Sequence, residues 1–185
     1  MNDRDEYVIL VDKDDRDIGT MAKLEAHENG GHLHRAFSVF LFNGENQLLL
    51  QRRARSKYHF GGLWTNSCCG HPRPGETVIQ AATRRTREEL GLDVPTLSSC
   101  FQHMYEASDA SSGLTEREID HVLVGHLDDA NSSTIPFVPD EIEAVRWQAL
   151  PELQADVTQD VSQFTPWFVE ILPKFVAHVG GNTLS

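Results

Sequence analysis

Glu116 and Glu118 stand two residues apart, so on a strand both carboxylates face the same side. Further upstream, Glu76, Glu88 and Glu89 are spaced so that a loop delivers the first to a helix that carries the other two. Carboxylates gathered this way can hold Mg²⁺, a hard cation that takes oxygen ligands and substrate phosphates. Arg84 precedes Glu88 by one helical turn, and Arg85 precedes Glu89 by the same step, so each pair can also meet as an ion pair. Nine histidines and three cysteines, Cys68, Cys69 and Cys100, add nitrogen and sulfur groups. A mixed imidazole and carboxylate set suits Zn²⁺, Mn²⁺ or Fe²⁺ rather than a pure Mg²⁺ cage. Spacing alone does not say which histidines would join it.

The elements that must position these groups follow from pattern. Residues 7–11 and 18–22 read as two arms of a hairpin around Asp12-Lys13-Asp14-Asp15. Residues 36–42 and 47–51 read as strands joined by Asn43-Gly44-Glu45-Asn46. Residues 55–75 are rich in Gly and Pro and lack periodicity, which predicts a long functional loop. Residues 77–90 predict a helix, with Val78, Ala81, Ala82 and Leu90 on one face and Gly91 as its stop. Strands are expected over 97–106, 119–127 and 142–148, and a C-terminal helix from Pro166 to about His178. The expectation is one mixed α+β domain spanning residues 1–185.

The 185 residues carry a net charge of −12 and no apolar run of membrane-spanning length. Such a balance repels polyanions, which argues against nucleic acid and anionic membranes as partners. Residues 1–6 are acidic and polar, unlike a signal peptide. The odd cysteine count, with two cysteines adjacent, argues against a disulfide framework. The expectation is a cytoplasmic protein, monomeric and reduced.

Gly70-His-Pro-Arg-Pro-Gly-Glu76, followed by Arg84-Arg-Thr-Arg-Glu88-Glu89-Leu-Gly91-Leu92, resembles the Nudix box. Arg85 stands where that box has Glu, and Thr86 where it has an aliphatic residue. A guanidinium in place of a carboxylate weakens metal binding for hydrolysis and offers a fork donor to diphosphate oxygens. Trp64-Thr-Asn-Ser-Cys-Cys69-Gly-His71-Pro resembles the Thr-Asn-Ser-x-Cys-Gly-His-Pro signature of type I isopentenyl diphosphate isomerases. Ala26-His27, Leu33-His34-Arg-Ala-Phe-Ser, Arg53-Ala-x-Ser-Lys57, Gly113-Leu-Thr-Glu116-Arg-Glu118 and Pro166-Trp167 extend the likeness over roughly residues 5 to 175.

The resemblance implies a Nudix-type mixed β-sheet core flanked by helices, with additional N-terminal strands. It implies interconversion of isopentenyl and dimethylallyl diphosphate, small-molecule substrates, by proton addition and removal through a tertiary carbocation. His27, His34, His71, Glu116 and Glu118 would hold a divalent ion, Mn²⁺ or Zn²⁺, and Glu89 a Mg²⁺ that arrives with the diphosphate. Lys23, Arg53, Lys57 and Arg85 would grip phosphate, and Trp167 would face the cation. Cys69 and Glu116 would be the acid/base pair, with Tyr105 close to Glu116 as a relay. A free thiol is a feeble acid for an alkene, so Glu116 with Tyr105 is expected to protonate isopentenyl diphosphate and Cys69 to act as base. Cys68 is expected to be a packing residue, and His32, His59, His103, His121, His126 and His178 are left as surface or core histidines.

Eight of the sixteen basic side chains fall within residues 52–87, against a single acid, Glu76. The charge balance therefore excludes polyanions without excluding a small anion bound in that region. Only four residues are lysine against twelve arginines, and scarce lysine with abundant acid is the composition of a protein adapted to high salt. Folding and activity measured along a KCl gradient should peak at raised salt; a maximum near zero salt would count against that adaptation.

Overall fold

A computed structural model describes residues 6–128 and 134–181. The acidic N-terminal stretch noted above lies outside them except for Glu6. In chain order the elements are β1 (Tyr7–Val11), β2 (Asp17–Ala22), α1 (Lys23–His27), β3 (His34–Phe42), β4 (Gln47–Arg53), β5 (Trp64–Thr65) and β6 (Cys68–Gly70). There follow α2 (Val78–Leu90), β7 (Leu97–Asp109), β8 (Leu114–His126), β9 (Ile142–Ala149), α3 (Leu150–Gln159) and α4 (Pro166–Gly181).

The strands form one mixed sheet organised around β3. Along β3 run β6, antiparallel, and β8, parallel, from His34↔Glu118 to Phe42↔His126. β7 extends β8, β9 extends β4, and the β1–β2 hairpin joins at Leu10↔His34. Both faces of β3 are covered, so it reads as a continuous apolar run rather than an alternating one. Phe37, Val39 and Leu41 pack with Ala81, Ala82 and Leu90 of α2. Phe40 and Phe42 point the other way, into Leu153 of α3 and Phe168, Ile171 and Phe175 of α4. This helix–sheet–helix architecture is the α+β arrangement expected, with additional N-terminal strands.

Local chemistry sets the element ends. Thr77 caps α2 by a reciprocal pair: its Oγ1 accepts from Gln80 N at 3.2 Å, and Gln80 Oε1 accepts from Thr77 N at 2.9 Å. Gly91 ends the helix at φ 63°, where a Cβ would meet Pro136 Cγ at 2.9 Å.

Three expectations are corrected. The stretch 55–75 is not structureless, because β5 pairs with β4 and β6 with β3. β3 and β4 share a single pair, Phe42↔Leu48. Ser67 then fills the gap between them, accepting from Leu41 N at 2.8 Å and donating to Leu49 O at 2.7 Å. Such partners for backbone groups on two diverging strands are invisible to a local pattern. β8 begins at Leu114, so Glu116 and Glu118 lie inside a strand and not before one. The short α1 and the helix α3 were absent from the sequence reading.

Phe175 is fully buried and stacks on Phe40 at 4.3 Å and Phe42 at 5.9 Å. Phe175→Ala should cost about 3–5 kcal/mol, read as a lower urea midpoint at unchanged slope.

Candidate active site

The site lies over the end of the sheet where β3 and β6 meet β8. Alternation places Glu116, Glu118 and Asp120 on one face of β8, all buried. The parallel register sets His34 beside Glu118. His71 follows β6 directly, and His27 ends α1. Five ligand atoms, one each from His27, His34, His71, Glu116 and Glu118, lie within 4.8 Å of one another. His27 Nε2 meets Glu116 Oε2 at 2.9 Å. His71 Nε2 meets Glu118 Oε1 at 2.8 Å, and His34 Nε2 approaches the same oxygen at 3.3 Å.

This cluster fits a divalent metal ion. His27 Nδ1 donates to Lys23 O at 2.6 Å and His34 Nδ1 to His32 O at 2.7 Å. Those carbonyls set the tautomer and turn each Nε2 inward, as for metal-bound imidazoles. His34 Nε2 and His71 Nε2 face each other at 3.1 Å. Burial disfavours charge on both rings and keeps their pKa values low, so each nitrogen offers a lone pair. Burial opposes charge on His27 as well, yet Glu116 beside it holds its pKa up to about 9. Glu116 stays well below the usual carboxylate range despite burial, because His27 and His59 face it. Burial and the neighbouring Glu116 push Glu118 up to about 7.

Cys68 and Cys69 occupy successive positions of β6 and so point to opposite faces. Cys68 joins the core beneath α2. Cys69 turns to the cavity beside Ser38, and its thiol donates to Asn66 Oδ1 at 3.1 Å. Burial and the Asp120 carboxyl push that thiol up to about 12. Glu116 lines the same cavity, with Tyr105 and Trp167. Trp167 is buried at the start of α4, with Phe60 edge-on at 5.4 Å and the Arg53 guanidinium over its ring at 5.4 Å.

Lys23, Arg53, Lys57, Arg85 and Glu89 also line this cavity. The charges of Lys23, Lys57 and Arg85 are already matched by carboxylates, while Arg53 Nη2 donates to His59 O at 3.2 Å. Lys23 Nζ meets Glu6 at 3.1 Å, and Lys57 donates to Glu141. Arg85 does not hold a free fork towards the cavity. Its Nη1 donates to Glu88 at 3.0 Å, and its Nη2 donates to Glu89 and lies 3.4 Å from Glu141. Nor do the three box carboxylates cluster. Glu76 is held by Arg84 through two bonds of 2.7 and 2.8 Å, Glu88 is shared by Arg84 and Arg85, and of the three Glu89 alone reaches the cavity. The i, i+4 pair of Arg84 with Glu88 seen in the sequence is present, and Glu88 stands outside the cavity lining.

Tyr105 lies close to Glu116, as expected, but its hydrogen bond goes to Glu118. β7 and β8 pair Tyr105↔Glu118 and Ala107↔Glu116, so the hydroxyl donates to Glu118 Oε2. The free oxygen of Glu116 is met instead by His59, on the loop between β4 and β5. Sequence reasoning left His59 among the bland histidines. It also missed Asp120, two residues beyond Glu118 on the same alternation, which accepts from Ser38 Oγ at 2.7 Å. That alternation was the available signal for Asp120; nothing local pointed to His59.

Residues 32–168 match the family model described as NUDIX domain. The fold agrees with solved structures. A Deinococcus radiodurans protein superposes with TM-score 0.71 at 23% identity, over 91% of this chain and 98% of that one. The MutT protein from Methanosarcina mazei superposes with TM-score 0.63 at 16% identity, over 78% and 94%. Sheet, box helix and cavity together define a NUDIX-domain protein. Sequence relatives narrow the class. The isopentenyl-diphosphate Delta-isomerase of Halorhodospira halophila is 48% identical over 90% of this chain and 93% of its own length. That of Serratia proteamaculans is 44% identical over 91% and 90%. The chain belongs to the isopentenyl-diphosphate Delta-isomerase family. Among the described residues no helix is long and apolar enough to cross a membrane.

Occupation of the cluster should stabilise the fold by mass action, about 2.7 kcal/mol at a metal concentration a hundredfold above Kd. With Mn²⁺ as probe, the thermal midpoint should rise in the native chain and not in His34→Ala. An equal rise in both would remove His34 from the ligand set.

Proposed function

We propose that the chain is an isomerase that interconverts isopentenyl and dimethylallyl diphosphate in isoprenoid precursor synthesis. The observation that carries this is one cavity that joins two proton-transfer groups, Cys69 and Glu116, to a set of cations suited to a diphosphate. Moving a double bond by one carbon requires a proton to arrive at the terminal carbon and another to leave the carbon on the far side of the cation centre. Two acid/base groups facing one substrate supply that.

Lys23, Arg53 and Lys57 bind the diphosphate, with Arg85 behind them. Mg²⁺ that enters with the substrate would be held by Glu89. Mn²⁺ or Zn²⁺ would be held by His27, His34, His71, Glu116 and Glu118, where such an ion supplies Lewis-acid polarisation of a bound carboxyl group. Glu116, ionised in the free protein, takes up a proton before it delivers one to isopentenyl diphosphate, and Cys69 takes the proton that leaves. Tyr105 donates to Glu118, beside Glu116. The free protein carries Cys69 as a thiol bonded to Asn66, which is the form it reaches after that step. It is therefore poised for the reverse reaction, and the forward reaction begins once its proton has left. Trp167 turns its ring to the tertiary cation. Such a contact is worth about 2 kcal/mol or more when desolvated, roughly thirtyfold in rate.

All three cysteines are free, which supports a reducing compartment such as the cytoplasm.

NMR of isopentenyl diphosphate in D₂O with metal-loaded protein tests the reading. Expected are dimethylallyl diphosphate and deuterium at the exchanged carbons, without release of phosphate. Phosphate release without an allylic product would make the chain a hydrolase. Cys69→Ser and Glu116→Gln should each lower kcat by at least about a hundredfold. Deuterium that arrives from the thiol face would reverse the two roles.

A further inference from the structure

Thr65, Asn66 and Ser67 are three consecutive polar residues between the end of β5 and the start of β6, and each is fully buried. Buried polar groups are destabilising unless each finds a partner, so their bonds show what the segment does. Ser67 commits its hydroxyl to the backbones of β3 and β4. Asn66 Nδ2 donates to Val39 O at 3.2 Å and to Cys68 O at 2.9 Å. Both partners are carbonyls, which only accept, so the amide is fixed end for end and its oxygen faces the other way. There Oδ1 accepts from the Cys69 thiol at 3.1 Å and from Thr65 Oγ1 at 2.9 Å. Thr65 in turn accepts from Thr165 Oγ1 at 2.9 Å, and Thr165 stands immediately before α4. Two hydroxyls lie farther from the sulfur, Ser38 Oγ at 3.9 Å and Thr65 Oγ1 at 4.0 Å. Each gives its hydrogen elsewhere, to Asp120 and to Asn66.

We propose that Asn66 is a positioning residue for Cys69, holding Sγ on the cavity wall, and that the Thr65–Thr165 hydroxyl chain braces Asn66 from the start of α4. A cysteine side chain has three staggered settings about Cα–Cβ, and the bond to Asn66 Oδ1 selects one of them. It directs the S–H to the amide and leaves the lone pairs of the sulfur for the cavity. Neither Asn66 nor Thr65 lines that cavity, so both act through Cys69. The chain of bonds ends beside Pro166-Trp167, so the thiol and the indole, which line the same cavity, are held in one frame. Groups that exchange protons with carbon need such placement, since a 1 Å error can cost about a hundredfold in rate. The Thr-Asn half of the signature around Cys69 thereby gains a part that neither ligand nor acid/base chemistry gave it.

The inference rests on Cys69 as a proton-transfer group of the proposed isomerase, so its test has one arm that needs activity and one that does not. The infrared S–H stretch of Cys69 is assigned as the band lost in Cys69→Ser. In the native chain it should lie at the lowered frequency of a bonded thiol, and in Asn66→Ala it should rise to that of a free one. A native band already at the free-thiol frequency, or a band unmoved in Asn66→Ala, overturns the proposal. In steady-state assays Asn66→Ala should lower kcat about a hundredfold with KM for isopentenyl diphosphate unchanged. Asn66→Ala also strips partners from Val39 O and Cys68 O, so a second pair of variants guards against failure to fold. Thr65→Val keeps the shape of the side chain and removes the brace, and should lower kcat by a smaller factor; Thr65→Ser restores the hydroxyl and should recover much of that loss. Mn²⁺ affinity, read by calorimetry, should be the same in every variant that folds. The proposal is also overturned by an unchanged kcat in Thr65→Val, by a Thr65→Ser as slow as Thr65→Val, by a loss carried in KM, or by Mn²⁺ affinity that falls in step with kcat. If the native chain proves inactive, the isomerase reading falls, and the infrared arm still decides whether Asn66 holds the thiol.

Discussion

Two carboxylates buried side by side on β8 set the terms for the rest of this structure. Glu116 and Glu118 are each about 5% exposed, and Asp120 follows them on the same face. Buried charge of one sign is costly unless it is partnered. Partners arrive from everywhere the chain can supply them: His27 from α1, His34 from β3, His71 after β6, His59 from the β4–β5 loop and Tyr105 from β7. Each of those elements has to end or turn where it does for its side chain to reach. This end of the sheet is organised by the need to compensate this acidic stripe, and the five converging ligand atoms would fit a divalent cation.

The same logic governs the cationic end of the cavity, with the signs reversed. Lys23, Lys57 and Arg85 line the cavity and are held by Glu6 and Glu141 from opposite ends of the chain and by Glu89 from α2. The acidic total of the chain is thus compatible with an anion site, because basic groups are gathered locally and carry carboxylate partners that a diphosphate can replace. Arg85 shows how a single change in the Nudix box alters its use. The guanidinium draws Glu88 and Glu89 to itself, and Glu76 is committed to Arg84. The carboxylates that would gather a hydrolytic metal are instead dispersed into ion pairs.

Much of this was legible in the sequence, for definite reasons. The box helix was readable because Val78, Ala81, Ala82 and Leu90 share one face and Gly91 supplies the backbone freedom to stop it. Cys68 was readable as a packing residue, and the alternation of β6 turns it away from Cys69. The five residues of the ligand cluster came from a family likeness, since nine histidines at irregular spacing give no local reason to choose three. Where the reading went astray, the cause was long-range pairing. Residues 55–75 look like a loop because their strands are two and three residues long and find partners in β4 and β3.

What the sequence determined by itself was the chemistry available: two carboxylates at alternate positions, a helix rich in Arg and Glu with a glycine stop, adjacent cysteines in a Gly- and Pro-rich segment, and a cationic segment in an acidic chain. What only the tertiary structure decided was who meets whom. The β7–β8 register assigns Tyr105 to Glu118, and closure of the β4–β5 loop brings His59 to Glu116. Register is a property of two strands and loop closure a property of the packed whole. A one-residue slip of β7 would turn Tyr105 to the other face of the sheet, and no local feature of either segment records which pairing was taken.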